Sequence, residues 1–321
     1  IFASVEVGWK SMLYLTLTGR NDWASQLANS STSSFFYPSV GLSGVISEMI
    51  QMPSFIDYMK VRGSFSSVGM PYPRNLTSPT YEYNEATQSW KPKTHYPIGD
   101  LKPERTDSWE VGLDMKLFKD FNLGLSWYLA NTFNQTFDPQ ISVSSGYTTI
   151  YLQTGYVRNT GLELSLGYGH TWNNNFRWDS NFTLSHNKNK IKELVRDYVH
   201  PETGELINKD RLDVGGLGKA RFILKEGGTL GDLYTQSDLK RDDNGMVDID
   251  PTGIVAIENN LPDIKLGSVF PKANLAWSNH FSWKGISLSA LFTARIGGIV
   301  YSATEAAMDQ YGVSERSALA R

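Results

Sequence analysis

The sequence has 321 residues, with 30 Lys and Arg against 33 Asp and Glu, a formal net charge of −3. This balance lacks the basic excess of a nucleic-acid-binding surface, so no nucleic-acid partner is expected. The chain contains no cysteine, which excludes disulfides and thiolate chemistry. It also has no run of about 20 predominantly apolar residues from which a membrane-spanning helix could be built.

Apolar and polar residues alternate with a period of two over segments of about ten residues, which predicts long β-strands. In the segment that begins at Trp109, for example, Val111 and Leu113 share one face while Glu110 and Asp114 lie on the other. The same alternation predicts nine strands, in chain order at about 12–22, 37–48, 57–68, 107–118, 121–133, 158–170, 176–188, 270–282 and 286–297.

The length of these segments decides the fold class. Strands of globular sheets run about 5–6 residues, whereas membrane-spanning strands need about 9–11. A lipid-exposed sheet edge would leave backbone groups unsatisfied, so spanning strands close into a barrel. We therefore predict an all-β protein, a transmembrane antiparallel β-barrel. Aromatic residues near the strand ends suit an interfacial girdle; they are Trp109, Tyr128, Trp178, Trp277 and Trp283.

The connections between the predicted strands alternate in length. The short ones are Lys119-Asp120, 171–175, 283–285 and, slightly longer, 49–56. The long ones are 23–36, 69–106, 134–157 and 189–269. Bacterial barrels have short periplasmic turns and longer extracellular loops, so this alternation assigns the two sides. Any further barrel strands within 189–269 must then come in an even number.

Nine strands are an odd count, and single-chain bacterial barrels normally have an even number. The sequence starts at Ile1 and shows no signal-peptide pattern. We therefore expect residues 1–321 to be one part of a barrel domain, with an internal plug, early strands and last strands outside it.

Charged residues on the polar faces of the strands are predicted to point into the barrel lumen, since barrel interiors are polar. They could line a translocation path or bond to an internal plug. These residues are Glu110, Asp114, Lys116, Arg177, Asp179 and Arg295.

The long connection 69–106 is rich in aromatic residues, which could contact substrate, because binding residues tend to lie on loops and sugars pack on aromatic faces. The alternative is a loop that packs on itself or on a partner protein. The candidate contact residues are Tyr72, Tyr81, Tyr83, Trp90 and Tyr96.

Other motifs give no site. Asp242-Asp243-Asn244-Gly245 fails the EF-hand pattern and is typical of a hairpin turn. The Gly215–Lys219 segment lacks the Ser or Thr of a phosphate-binding loop and is also predicted to be a turn. The five histidines have no metal-ligand spacing, so no metal, cofactor or catalytic constellation is predicted.

Eight short segments, in this order and spacing, resemble the second half of the barrel of SusC-like TonB-dependent transporters. They are Gly19–Trp23, Phe36–Val40, Lys60–Phe65, Leu101–Thr106, Trp109–Asp114, Asn159–Glu163, Pro262-Asp263 with Phe270–Lys272, and Arg295–Gly298.

This resemblance implies a 22-stranded barrel in the bacterial outer membrane, surrounded by its lipid, with an internal plug energised by TonB. It also implies a SusD-like surface lipoprotein as partner and import of an oligosaccharide or peptide. A passive porin, a surface adhesin or an assembly component built on a barrel remain open, and a soluble β-sandwich is disfavoured by the strand lengths.

Overall fold

The computed structural model describes residues 1–27, 30–70, 81–92, 95–96, 102–137, 149–150, 152–172, 175–199, 204, 206–249, 251, 253 and 255–319. Among them are the strands β1 Phe2–Trp9, β2 Leu13–Trp23, β3 Ser34–Val45, β4 Ile56–Met70, β5 Tyr81–Asn84, β6 Ser89–Pro92, β7 His95–Tyr96, β8 Glu104–Leu117, β9 Phe121–Phe137 and β10 Thr149–Ile150. The later strands are β11 Leu152–Trp172, β12 Phe176–Glu193, β13 Val195–Val199, β14 Leu206–Lys209, β15 Arg211–Leu217, β16 Ala220–Lys225, β17 Asp232–Leu239, β18 Ile257–Ser268, β19 Ala273–Trp283 and β20 Ile286–Ile296. The helices are α1 Ile46–Met49, α2 Ala303–Gln310, α3 Glu315–Leu319 and a 3₁₀ turn at Ser25–Leu27.

Ten of these strands form one antiparallel meander, in the order β1-β2-β3-β4-β8-β9-β11-β12-β19-β20. All nine predicted strands are present in it, and their length is confirmed: β9 has 17 residues and β12 has 18. The predicted strand 37–48 ends earlier, at Val45, because the helix α1 begins at Ile46. The predicted count of nine is wrong, because β1 pairs with β2 from Phe2↔Arg20 to Trp9↔Leu13. Apolar and polar residues alternate in this strand as well.

The meander is an open sheet, since β1 and β20 lie at its two edges in the described chain. Tight turns join β1 to β2, β8 to β9 and β19 to β20, and each contains a lysine with positive φ, namely Lys10, Lys119 and Lys284. The long connections lie at the opposite ends of the strands. The alternation of short periplasmic turns and long extracellular loops is thereby confirmed.

The long connection between β12 and β19 is a folded unit, which we call the head. It contains the β13–β14 hairpin and the four-stranded sheet β15-β16-β17-β18, and neither joins the meander. The main hydrophobic core of the described chain lies where the head meets β9, β11 and β12. It contains Phe137, Leu152, Val157, Ile191, Leu194, Val195, Leu212 and Leu224.

Most of the meander has no such core, because its apolar face is exposed. Trp109 is 53% exposed and Trp127 is 42% exposed. Large contiguous apolar surfaces of this kind mark contact with a partner or a membrane. No helix in the described residues is long and apolar enough to cross a membrane.

Candidate substrate passage

The polar face of the meander is continuous across its strands. Lys60, Asp114, Gly124, Ser165, Thr183, Ala276 and Thr293 form one cross-strand row. The next row towards the long loops is Arg62, Gly112, Ser126, Glu163, Ser185, Asn274 and Arg295. Recesses on this face are lined by residues of β8, β9, β11, β12, β19 and β20 together. A recess shared by six neighbouring strands shows that the polar face is the concave one.

Arg62 on β4 is the centre of a charged cluster on this face. Its Nη2 lies 3.0 Å from Glu110 Oε1 and donates to Ser126 Oγ at 2.6 Å. Its Nε is 3.9 Å from Asp114 Oδ2. The guanidinium reaches these partners by crossing Gly112, where a Cβ would lie 2.4 Å from Arg62 Nε. Any side chain at position 112 would thus clash with the Arg62 guanidinium in this position.

A second ionic group lies nearer the short turns. Arg177 Nε donates to Asp179 Oδ2 and Arg177 Nη2 to Asp179 Oδ1, both at 2.7 Å, which is the bidentate geometry that fits a guanidinium to a carboxylate. Lys116 and His280 line the same recess. The lower part of the concave face therefore has further basic side chains close to one neutralised pair.

Arg295 on β20 lies in the same row as Arg62, but its contact is different. Its Nη2 donates to the backbone carbonyl of Val269, in the segment that returns from the head to β19. The predicted residues Asp114, Lys116, Arg177, Asp179 and Arg295 all line recesses of the concave face. Glu110 is held there by Arg62.

The aromatic loop residues divide into described and undescribed ones. Tyr83 and Trp90 are cross-strand neighbours in the β5–β6 hairpin, with ring centroids 5.1 Å apart. Tyr81 and Trp90 are each 66% exposed. Tyr72 and the side chain of Tyr96 lie outside the described residues. The hairpin thus presents aromatic surface at the long-loop end of the sheet.

Sequence reasoning missed the ionic centre of the head. Asp263 accepts from Arg211 Nε at 2.6 Å and Nη2 at 2.9 Å, and from Gln236 Nε2 at 2.9 Å. Lys225 Nζ lies 2.9 Å from the same carboxylate, whose side chain is only 5% exposed. The hydrogen bonds from Arg211, followed by those from Lys225 and Gln236, hold the pKa of Asp263 well below its usual range. The Asp263 carboxylate of β18 therefore links β15, β16 and β17 of the head through charged and polar side chains.

The two predicted turns are present as turns. Asp242 Oδ1 accepts the backbone N–H groups of Asn244 and Met246, and Gly245 N–H donates to the Asp242 carbonyl. The Gly215–Lys219 segment connects β15 to β16. One girdle assignment is wrong: Tyr128 lies on the concave face against Gly161. It is on the same face of β9 as the polar residue Ser126, not on the apolar outer face.

The aromatic girdle is clearest on the outer face near the short turns. Tyr168 packs against Phe121 at 4.7 Å and against Trp178 at 5.2 Å. Trp178 in turn stacks on Phe281 at 5.9 Å. Long antiparallel strands, an exposed apolar outer face with an aromatic girdle and a polar concave face define an outer-membrane β-barrel.

The comparisons with known proteins give the family. The model of the TonB dependent receptor-like β-barrel matches residues 1–238. The chain belongs to this family, which is one of receptors and transporters of the outer membrane rather than enzymes.

Curated relatives support this assignment. TonB-dependent receptor P39 of Formosa agariphila is 27% identical over 247 residues, covering 74% of this chain and 22% of that protein. TonB-dependent receptor P26 of the same organism is 26% identical, covering 94% of this chain and 32% of the relative. The chain thus spans about a fifth to a third of the length of these relatives.

Solved structures support the fold. The RagAB peptide importer in its open-open state matches with a TM-score of 0.69 and 20% identity, over 92% of this chain and 32% of that one. The closed-closed state gives a TM-score of 0.70 over the same share of this chain. The family match and the curated relatives confirm the resemblance to TonB-dependent transporters, and the solved structures confirm the barrel fold.

Proposed function

We propose that this chain is part of a plugged, TonB-energised barrel that imports an oligosaccharide or peptide across the outer membrane. The proposal rests on the family match over residues 1–238 together with a polar concave face that runs beneath the long loops. A nutrient would meet the extracellular loops first and then the wall that contains Arg62, Asp114 and Glu163. TonB would act through segments outside this chain.

We propose a SusD-like surface lipoprotein as the partner at the loop end. The support is the motif resemblance and the structural likeness to the RagAB peptide importer. The head and the β5–β6 hairpin are the described parts that stand at this end. The exposed aromatic side chains of the hairpin, Tyr81, Tyr83 and Trp90, are the proposed contacts for substrate or for the lipoprotein.

We further propose that the charged side chains of the concave face point into the lumen and bond to the plug or line the path around it. The Arg177–Asp179 pair is internally neutralised, whereas the Arg62 cluster holds two carboxylates against one guanidinium and keeps a net negative charge. Lys116 makes no ion pair within the described residues and is the charge best placed to meet an acidic group of a plug or of a passing peptide.

The test is purification of the full-length protein from outer membranes in mild detergent, followed by mass spectrometry of the proteins that accompany it. A co-purifying SusD-like lipoprotein and peptides from a plug domain would support the importer. A barrel that comes alone and has no plug would contradict it and favour a passive porin. A barrel joined only to adhesive or assembly proteins would favour the other alternative.

Uptake measurements separate the two substrate classes. Cells with the intact gene should accumulate a labelled oligosaccharide or a labelled peptide pool, and cells without TonB should accumulate neither. Uptake that continues without TonB would contradict energised import. Uptake of only one class would identify the substrate chemistry.

A further inference from the structure

The outer face of the meander changes from apolar to basic over a short distance near the long loops. On β12, Phe182 and Leu184 of this face are followed by His186, Lys188 and Lys190 at every second position. The apolar positions of this face end at Leu184. At about 3.3 Å per residue, the basic positions extend from there about 20 Å further along the strand, to Lys190. The basic positions therefore lie where a spanning strand leaves the hydrocarbon layer.

Arg158 on β11 belongs to the same face and lies directly opposite Lys190. Like charges directly opposite each other on neighbouring strands are destabilising. Lys188, opposite Thr160, adds a third positive charge one pair away. We call Arg158, Lys188 and Lys190 the basic cluster.

The basic cluster lacks acidic partners within the described part of the chain. Arg158 Nε donates to Asn131 Oδ1 at 2.8 Å and its Nη2 donates to the Tyr156 hydroxyl, and both acceptors are neutral. A guanidinium has five N–H donors, so further ones are free for another acceptor. Neither Lys188 nor Lys190 forms an ion pair with a described residue. The cluster is thus oriented by neutral acceptors and forms no ion pair within the described residues.

The head does not cover this face. Ile191 follows Lys190 on β12, so its side chain lies on the other, concave face of the sheet. It is fully buried in the core beneath the head. Its backbone is bonded to Gly227 and Gly228 of the head. Lys188, in contrast, is exposed. The head therefore packs on the concave side, and the basic cluster faces away from it.

An aromatic pair adjoins the basic cluster. Phe133 and Tyr156 stack with ring centroids 4.9 Å apart and an interplanar angle of 20°. The Arg158 guanidinium lies 5.7 Å from the Tyr156 ring centroid. Stacked rings beside cations suit a ligand that combines sugar rings with anionic groups.

We propose that the basic cluster binds the phosphate groups of a phosphorylated glycolipid in the outer leaflet of the membrane. Phosphate would lie between Arg158 and Lys190, removing their mutual repulsion, while Lys188 contacts a second phosphate. The adjoining sugar would pack against the Phe133–Tyr156 pair. The acyl chains would then lie on the apolar rows below, around Leu162 and Leu184.

The test uses the full-length protein in detergent and native mass spectrometry with added rough lipopolysaccharide. The triple variant Arg158→Gln/Lys188→Gln/Lys190→Gln should bind about one hundredfold more weakly, since each basic residue near a charged membrane surface contributes about a fivefold effect. The double variant Arg158→Lys/Lys190→Arg keeps the charges and should bind as the parent does. The control Lys209→Gln/Lys219→Gln/Lys240→Gln removes the same charge from the head and should leave binding unchanged.

Dephosphorylated lipopolysaccharide should bind the parent protein as weakly as phosphorylated lipopolysaccharide binds the triple variant. Equal binding of the phosphorylated and dephosphorylated forms would overturn the proposal, as would equal binding by the parent and the triple variant. Competition by phosphatidylglycerol or inorganic phosphate at equal concentration would overturn the assignment to a glycolipid. If the triple variant no longer co-purified with a surface protein while its glycolipid binding was unchanged, the cluster would be a protein contact and the proposal would be overturned. Retained heat-modifiable mobility on gels shows that each variant barrel is folded.

Discussion

Tyr128 occupies the space in which a side chain at Gly161 would lie. The two residues are direct cross-strand neighbours on β9 and β11, and a Cβ at position 161 would be 2.2 Å from Tyr128 Cζ. An aromatic ring that covers a strand glycine pins the register of the two strands. This contact gives a physical role to the glycine of the Asn159–Glu163 segment.

Gly161→Ala is expected to displace the Tyr128 ring and to destabilise the barrel by about 1–3 kcal/mol, as overpacking does. Thermal unfolding of the purified barrel, followed by its heat-modifiable mobility, measures the effect. Gly41→Ala is the matched control, because position 41 lies in the same cross-strand row and a Cβ there has only an ordinary contact at 3.8 Å from Thr16. Equal effects of the two substitutions would show that Tyr128 moves away at no cost.

The coupling between Arg62 and Glu110 is expected to be modest, about 0.5–1 kcal/mol, because both side chains are partly exposed. A double-mutant cycle with Arg62→Met and Glu110→Gln, read from unfolding midpoints, measures it. The same cycle with Arg62→Met and Glu163→Gln serves as the control, since no ion pair joins those two residues in the described structure. A coupling at Glu163 as large as that at Glu110 would contradict the assigned pair.

Asp263→Asn is expected to loosen the head by about 2 kcal/mol, because a nearly buried carboxylate loses its charged hydrogen bonds with Arg211 and Lys225. Hydrogen exchange of the amides of β15–β18 measures this local stability. The exposed Asp243→Asn is the matched control and should leave exchange unchanged. Equal exchange in the parent and the Asp263 variant would refute a structural role for this centre.

The stability of the head should also depend on pH in a defined direction. The pKa of Asp263 is lower in the folded head than its ordinary value near 3.8, because Arg211 donates hydrogen bonds to the carboxylate. A lowered pKa contributes stability that is fully present above the ordinary value and is lost as pH falls through the folded one. Hydrogen-exchange protection should therefore stay level above about pH 4 and decline below it. Asp263→Asn should lack that decline, and a decline of equal size in the variant would assign it to other carboxylates.

The β5–β6 hairpin offers a direct test of the proposed substrate contact. Trp90→Ala combined with Tyr83→Ala should lower uptake about tenfold if the rings hold substrate, which corresponds to a loss of about 1.4 kcal/mol of binding free energy. Thr87→Ala, in the turn of the same hairpin, is the control and should have no effect. Unchanged uptake together with unchanged binding of the surface lipoprotein would remove the hairpin from the substrate path.

Much of the strand architecture could be predicted because its determinants are local. Period-two alternation places Asp114 on one face and Leu113 on the other whatever the rest of the chain does. The length of the alternating segments indicated a membrane-spanning sheet, and the lengths of the connections assigned its two sides. The strand β1 was missed, although its residues alternate and its pairing with β2 is regular.

The residue contacts depended on the tertiary structure, because their partners are distant in sequence. Arg62 and Ser126 are 64 residues apart, and Arg211 and Asp263 are 52 residues apart. Alternation shows which face a side chain occupies, but only the register between strands shows which residue lies opposite it. For the same reason the sequence by itself determined a polar inner and an apolar outer surface, whereas the ionic centre of the head, the Tyr128–Gly161 contact and the basic cluster at Arg158 and Lys190 appeared only when the strands were paired.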